Sequence, residues 1–74
     1  MNKEFKIFMK NVAWLRKQHK LSKKKMAQIM GIGVGSLTQI EKGIFPERLR
    51  IDACINIQRH FGVSVKDQLQ KYIE

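Results

Sequence analysis

The sequence has one cysteine, one proline and no apolar run longer than a few residues. A single thiol, Cys54, cannot close an internal disulfide, which points to a reducing, cytoplasmic compartment. No stretch is long and apolar enough to span a bilayer. The N-terminus has Lys3 and Lys6 but no smooth apolar segment or small-residue cleavage site, so it does not read as a signal peptide. Acidic residues are missing over almost half of the chain. From Phe5 to Ile40 there is none, while Lys6, Lys10, Arg16, Lys17, Lys20, Lys23, Lys24 and Lys25 are all basic. From Glu41 onward the signs nearly balance. The net charge of +9 over 74 residues is therefore concentrated in one half, a cationic surface suited to a polyanion such as nucleic acid or an anionic membrane. The apolar faces described below match a packed bundle, which disfavours a membrane-surface peptide.

Groups for catalysis are scarce as well. No acidic pair or nucleophile–base arrangement is present, and the chain has little room for a pocket. His19, His60 and Cys54 fall on different expected helices without metal-ligand spacing. The G-x-G-x-G string at 31–35 superficially resembles a phosphate-binding loop, but no strand precedes it and no Lys-Ser/Thr follows. The expectation is a protein that is not an enzyme, with no cofactor, no metal and no small-molecule ligand.

Residues 1–74 read as a single domain with a modest core. Its centre is residues 21–43. Ser22 is placed to cap the N–H groups of Lys24 and Lys25. Met26, Ala27, Ile29 and Met30 give an apolar stripe, and Gly31 stands where a helix commonly ends in a left-handed residue. After the turn Gly31–Gly33, Val34, Leu37 and Ile40 recur at helical spacing, and Gly43 is a second stop. Two short helices joined by a glycine-bearing turn have the shape of a helix-turn-helix. Lys23, Lys24 and Lys25 fill the first turn of the leading helix, where the dipole disfavours each by about 0.3–1 kcal/mol, and Lys25 stands where a capping-box glutamate would help. A phosphate at that helix end reverses the sign of the effect; a solvated lysine face is the plain alternative.

Around this pair, residues 4–19 form an amphipathic helix with Phe5, Phe8, Met9, Val12, Leu15 and Arg16 near one face and Trp14 off it. Ile44–Arg50 reads as a loop carrying Arg48 and Arg50. A fourth helix is expected from about Leu49 to Phe61, with Ile51, Cys54, Ile55, Gln58 and Phe61 facing inward. A fifth begins at Ser64, which with Asp67 makes an S-x-x-D capping box, and its apolar side is Val65, Leu69, Tyr72 and Ile73. The fold class is all-α, with five helices.

Leu21-Ser22, Met26-Ala27, Gly31-Ile32, Leu37, Ile40-Glu41, Gly43 and the later Phe61-Gly62-Val63-Ser64-Val65 together resemble the Xre-type helix-turn-helix domain of bacteriophage repressors and Cro proteins. The likeness covers roughly residues 8–69. It implies a five-helix, lambda repressor-like domain whose third helix enters the major groove of double-stranded DNA, as a homodimer on a pseudo-palindromic site. Position by position, it implies an ion pair between Arg16 and Glu41 and phosphate contacts from Ser22, Lys23, Lys24, Lys42, Arg48 and Arg50. Gly33, Val34, Gly35, Ser36, Thr38 and Gln39 fall at or beside the base-facing positions. The chain departs from the family in two places. Relatives put Gln, Ser, Arg or Asn at the start of the third helix, whereas this chain has G-V-G, so direct readout rests on Thr38 and Gln39, with Gln39 able to bond adenine and Val34 able to touch a thymine methyl. The loop after Gly43 is about two residues longer than usual. The implied function is a transcriptional repressor of phage or mobile-element type. An antitoxin or protein-interaction module that keeps the frame is the alternative, motivated by G-V-G and Trp14. The last helix is the expected dimer surface by analogy.

Overall fold

The computed structural model describes residues 2–73. Within them the chain forms five helices and no strand: α1 Lys3–Gln18, α2 Lys23–Met30, α3 Val34–Glu41, α4 Ile51–Phe61 and α5 Val65–Gln70. Three of the five starts have a side-chain cap. Asn2 accepts from the Glu4 N–H at 2.7 Å, Ser22 from the Lys25 N–H at 3.0 Å and Ser64 from the Asp67 N–H at 3.1 Å, each replacing a hydrogen bond that a helix start lacks. Gly31 and Gly62 close α2 and α4 in the left-handed conformation, both with φ 74.

Helix α1 packs on α3 and α5, α2 on α3 and α4, and α4 on α5. The sealed centre is Phe8, Met26, Met30, Leu37, Ile40 and Ile57, all under 2% exposed. Leu37 and Ile40 therefore seat α3 on the bundle and leave its other side free. Two buried amides lock the periphery. Asn11 donates from Nδ2 to the carbonyls of Gln68 and Lys71 and accepts from the Ile73 N–H, all at 2.9 Å. Gln68 donates to the carbonyls of Cys54 and Val63 at 3.0 Å.

Three sequence expectations need correction. Helix α4 is rotated by roughly a quarter turn from the expected face, at 3.6 residues per turn: Ala53, Cys54 and Ile57 are buried, whereas Ile51 is 59% and Ile55 37% exposed. The reason lies in its contact with α2. Small residues at 53 and 54 let the helices approach, and Asn56 donates to the Met30 carbonyl at 3.0 Å, which fixes the rotation. Gln58 is likewise exposed and turns outward to accept from the Val65 N–H at 3.1 Å. Phe5, expected in the core stripe, sits at its edge, 38% exposed and stacked on Phe45 with ring centroids 4.0 Å apart, while Ile7 is buried. Finally, α5 stops at Gln70, because the carbonyls of Gln68 and Lys71 turn to Asn11. Lys71 is extended, and Tyr72 and Ile73 follow in non-helical chain rather than on the apolar side of α5.

Candidate nucleic-acid interface

The α2–turn–α3 unit is held at both ends. At the turn, Gly31 has φ 74, and a Cβ there would come within 3.1 Å of Asn56 Nδ2, the group that bonds the Met30 carbonyl. At the far end, the Arg16 guanidinium grips Glu41 with two parallel bonds, Nε to Oε2 at 2.5 Å and Nη2 to Oε1 at 2.9 Å. Its Nη1 donates to the Leu21 carbonyl at 3.0 Å. One arginine therefore joins α1, the entry to α2 and the last residue of α3. The hydrogen bond to Glu41 holds the guanidinium pKa above its ordinary value, so the charge persists at any working pH.

With Leu37 and Ile40 buried, the outward arc of α3 is set by helical spacing. Gly35, Thr38, Gln39 and Lys42 fall within roughly 100° of one another at 3.6 residues per turn. Gly35, Gln39 and Lys42 are exposed, Thr38 is half-buried, and Val34, 44% exposed, stands at the edge of the arc. Gly35 lies in the middle, with no atom within 4 Å of the place its Cβ would take. The centre of this face is therefore bare backbone that another surface can approach closely. Gly33, without a side chain of its own, is the N-cap of α3.

Ser36 points to the side of α3 that faces the long loop. A cleft of about 300 Å³ there is lined by Gly33, Ser36, Arg48 and Arg50 among others, so the loop brings both arginines beside the start of α3. Arg50 has an exposed partner, Asp52, at 3.7 Å, a pairing worth little in water. Arg48 has no ion-pair partner among the described residues. The same holds for Lys23, Lys24 and Lys25 at the start of α2, beside the exposed cap Ser22, and for Lys42 at the end of α3. Cations thus stand at both ends of α3: Lys42 and the start of α2 at the end that Arg16 ties together, and Arg48 and Arg50 beside its first turn.

The remaining candidates stay apart. His19 and His60 lie against the Phe61 ring, with centroids 4.9 and 4.7 Å from it. Cys54 is buried, and desolvation pushes its thiol pKa up. Trp14 is half-buried against the core. Lys6 and Lys10, which sequence reasoning treated only as part of the positive half, gather with Lys42 and Tyr72 around a separate groove; only the tertiary path of the C-terminal segment makes that grouping.

A family model described as Helix-turn-helix matches residues 12–68. No curated protein and no solved structure matches the chain.

Proposed function

The chain belongs to the helix-turn-helix family of the Xre and lambda repressor type, and from that premise we propose that it is a sequence-specific DNA-binding regulator, a repressor of phage or mobile-element type that holds a pseudo-palindromic operator as a homodimer. The observation that carries the reading is the outward arc of α3, with cations that lack strong partners at both of its ends. A helix fits the major groove, and a rail of phosphates runs along each edge of it. In this arrangement Ser22, Lys23, Lys24 and Lys42, at the end that Arg16 ties together, meet one rail, and Arg48 and Arg50, beside the start of α3, meet the other. Gln39, Thr38 and Ser36 hydrogen-bond base edges, Val34 touches a thymine methyl, and Gly35 admits the helix closely.

With so few base-reading side chains, each worth about 1–3 kcal/mol of discrimination, phosphate contacts dominate affinity. Tyr72 and Ile73 do not lie on α5, so in place of the last helix expected by analogy the dimer face we propose is the apolar patch of Phe5, Ile51 and Ile55, next to a groove also lined by Phe45, Leu49 and Leu69. Helices α1 and α2 carry Glu4 alone against eight lysines and arginines, a side that repels a second copy. The patch has Arg50 and Asp52 at its margin, both signs, as a two-fold contact between identical surfaces requires.

Fluorescence anisotropy on a labelled duplex, first random and then selected from a random pool, tests the function. The logarithm of the binding constant is expected to fall against log salt with a slope near about −4 to −5 per protomer, from about five neutralised phosphates. Gln39→Ala relaxes base preference, whereas Lys23→Ala weakens all sequences alike. Absence of salt-dependent duplex binding overturns the reading in favour of an antitoxin or interaction module built on the same frame.

A further inference from the structure

A groove of about 460 Å³ lies behind α3, between α1, the end of α3 and the C-terminal segment. Its floor is apolar, made by Met9, Ala13 and Ile40. Its rim carries Lys6, Lys10 and Lys42, none of which has an ion-pair partner among the described residues. Tyr72 completes the rim, 50% exposed, with Lys10 Nζ 5.9 Å from its ring centroid. The backbone on either side of it is held, because the Lys71 carbonyl and the Ile73 N–H are both hydrogen-bonded to the buried Asn11. Among the described residues the one carboxylate beside the groove, Glu41, has both oxygens engaged by Arg16 and does not repel an anion.

We propose that this groove binds an acidic, amphipathic peptide segment of another protein, with carboxylates on Lys6, Lys10 and Lys42 and an apolar side chain on the floor beside Tyr72. Charge complementarity selects the acid. The apolar floor selects a peptide over a phosphate rail, which has nothing to bury there, and the anchored backbone beside Tyr72 lowers the ordering cost of binding. A second copy of this chain presents no acidic run to fit. Because Lys42 also borders the outward arc of α3, an occupied groove competes with duplex DNA; that corollary rests on the function proposed above, whereas peptide binding itself does not.

The probe is a fluorescein-labelled peptide of about twelve residues repeating Glu-Asp-Leu with one Leu changed to Phe, compared with the same peptide carrying Ser at every apolar position. At about 150 mM salt, where long-range attraction is screened, the apolar peptide is expected to bind at least about tenfold more tightly, a difference of 1.4 kcal/mol. Lys10→Glu and Tyr72→Ala each weaken it about tenfold, while Lys66→Glu, the same charge change on the exposed side of α5, weakens it less than about twofold. Amide NMR shifts on titration gather at residues 6–13, 40–43 and 72. Equal binding of the two peptides, equal effects of the two lysine reversals, or shifts centred on Lys23–Lys25 overturn the proposal. So does a loss of random-duplex affinity in Tyr72→Ala as large as the loss of peptide affinity, which assigns the groove to nucleic acid. The peptide titration contains no DNA, so failure of the DNA-binding reading leaves its outcome interpretable.

Discussion

Breaking the Arg16–Glu41 pair from one side strands a charge where water reaches it poorly. The two side chains are 18% and 11% exposed, and the arginine also supplies the Leu21 carbonyl with its hydrogen bond. Removing one partner of a fully dry pair costs about 3–5 kcal/mol. The residual exposure lets water solvate part of the orphaned charge, so we expect about 2–3 kcal/mol for Glu41→Leu. Arg16→Met frees the Leu21 carbonyl as well and is expected to cost about 3 kcal/mol. In a domain of this size, 1 kcal/mol moves Tm by about 4–8 °C, so either variant melts at least about 8 °C lower. The double variant Arg16→Met with Glu41→Leu leaves no buried charge and is expected within about 1 kcal/mol of the parent. Urea unfolding followed by helical circular dichroism and by Trp14 fluorescence gives all four corners of the cycle. Additive single effects, or a double variant less stable than either single, would refute the reasoning, since the penalty would then come from lost packing rather than from a stranded charge.

Two further outcomes follow from backbone and surface. Gly31→Ala, at φ 74 and with its Cβ pressed to 3.1 Å from Asn56 Nδ2, is expected to lose about 2–3 kcal/mol in the same urea experiment, from the left-handed conformation and a disturbed hydrogen bond. Gly35→Ala has open space around it and is expected to stabilise the fold by up to about 1 kcal/mol while weakening duplex binding; equal stability changes at the two glycines would count against both assignments. Ile51→Glu, at a position 59% exposed, is expected to leave folding within about 0.5 kcal/mol and to convert dimer to monomer by sedimentation, with or without duplex. An unchanged sedimentation profile would remove the proposed face.

Sequence signals were strongest where one residue type has one physical use. Ser22, Gly31, Gly62 and Ser64 mark helix ends through caps and left-handed closures that few other residues supply, and α2, the turn and α3 were legible for that reason. The inward face of α4 was not, because Ile51, Cys54, Ile55 and Ile57 offer two overlapping apolar stripes. The choice between them is made by Asn56 reaching Met30 and by the small side chains facing α2, contacts between residues far apart in sequence. The end of α5 was misjudged for a similar reason: Tyr72 and Ile73 continue a helical pattern, yet Asn11, some sixty residues earlier, holds the chain there in another shape. Among site residues, the α3 arc follows from periodicity once Leu37 and Ile40 are inward. The nearness of Arg48 and Arg50 to the start of α3 depends on the path of a loop, which no periodicity encodes.

The start of α2 is where stability and polyanion binding oppose each other most directly. Its first turn holds Lys23, Lys24 and Lys25 and no acid. Ser22 caps the Lys25 N–H at 3.0 Å, but residue 25 is also where a glutamate would return a bond to the Ser22 N–H. Lys25→Glu removes one unfavourable interaction with the dipole and adds a favourable one, each about 0.3–1 kcal/mol, so a gain of about 1–2 kcal/mol in unfolding free energy is expected. The same change takes two units of positive charge from the helix end assigned to a phosphate rail. Duplex affinity is expected to fall by roughly tenfold or more at moderate salt, with a shallower salt slope. A variant that is more stable and still binds duplex as the parent does would mean that these lysines face solvent alone, and the anion would then have to be sought at another face of the bundle.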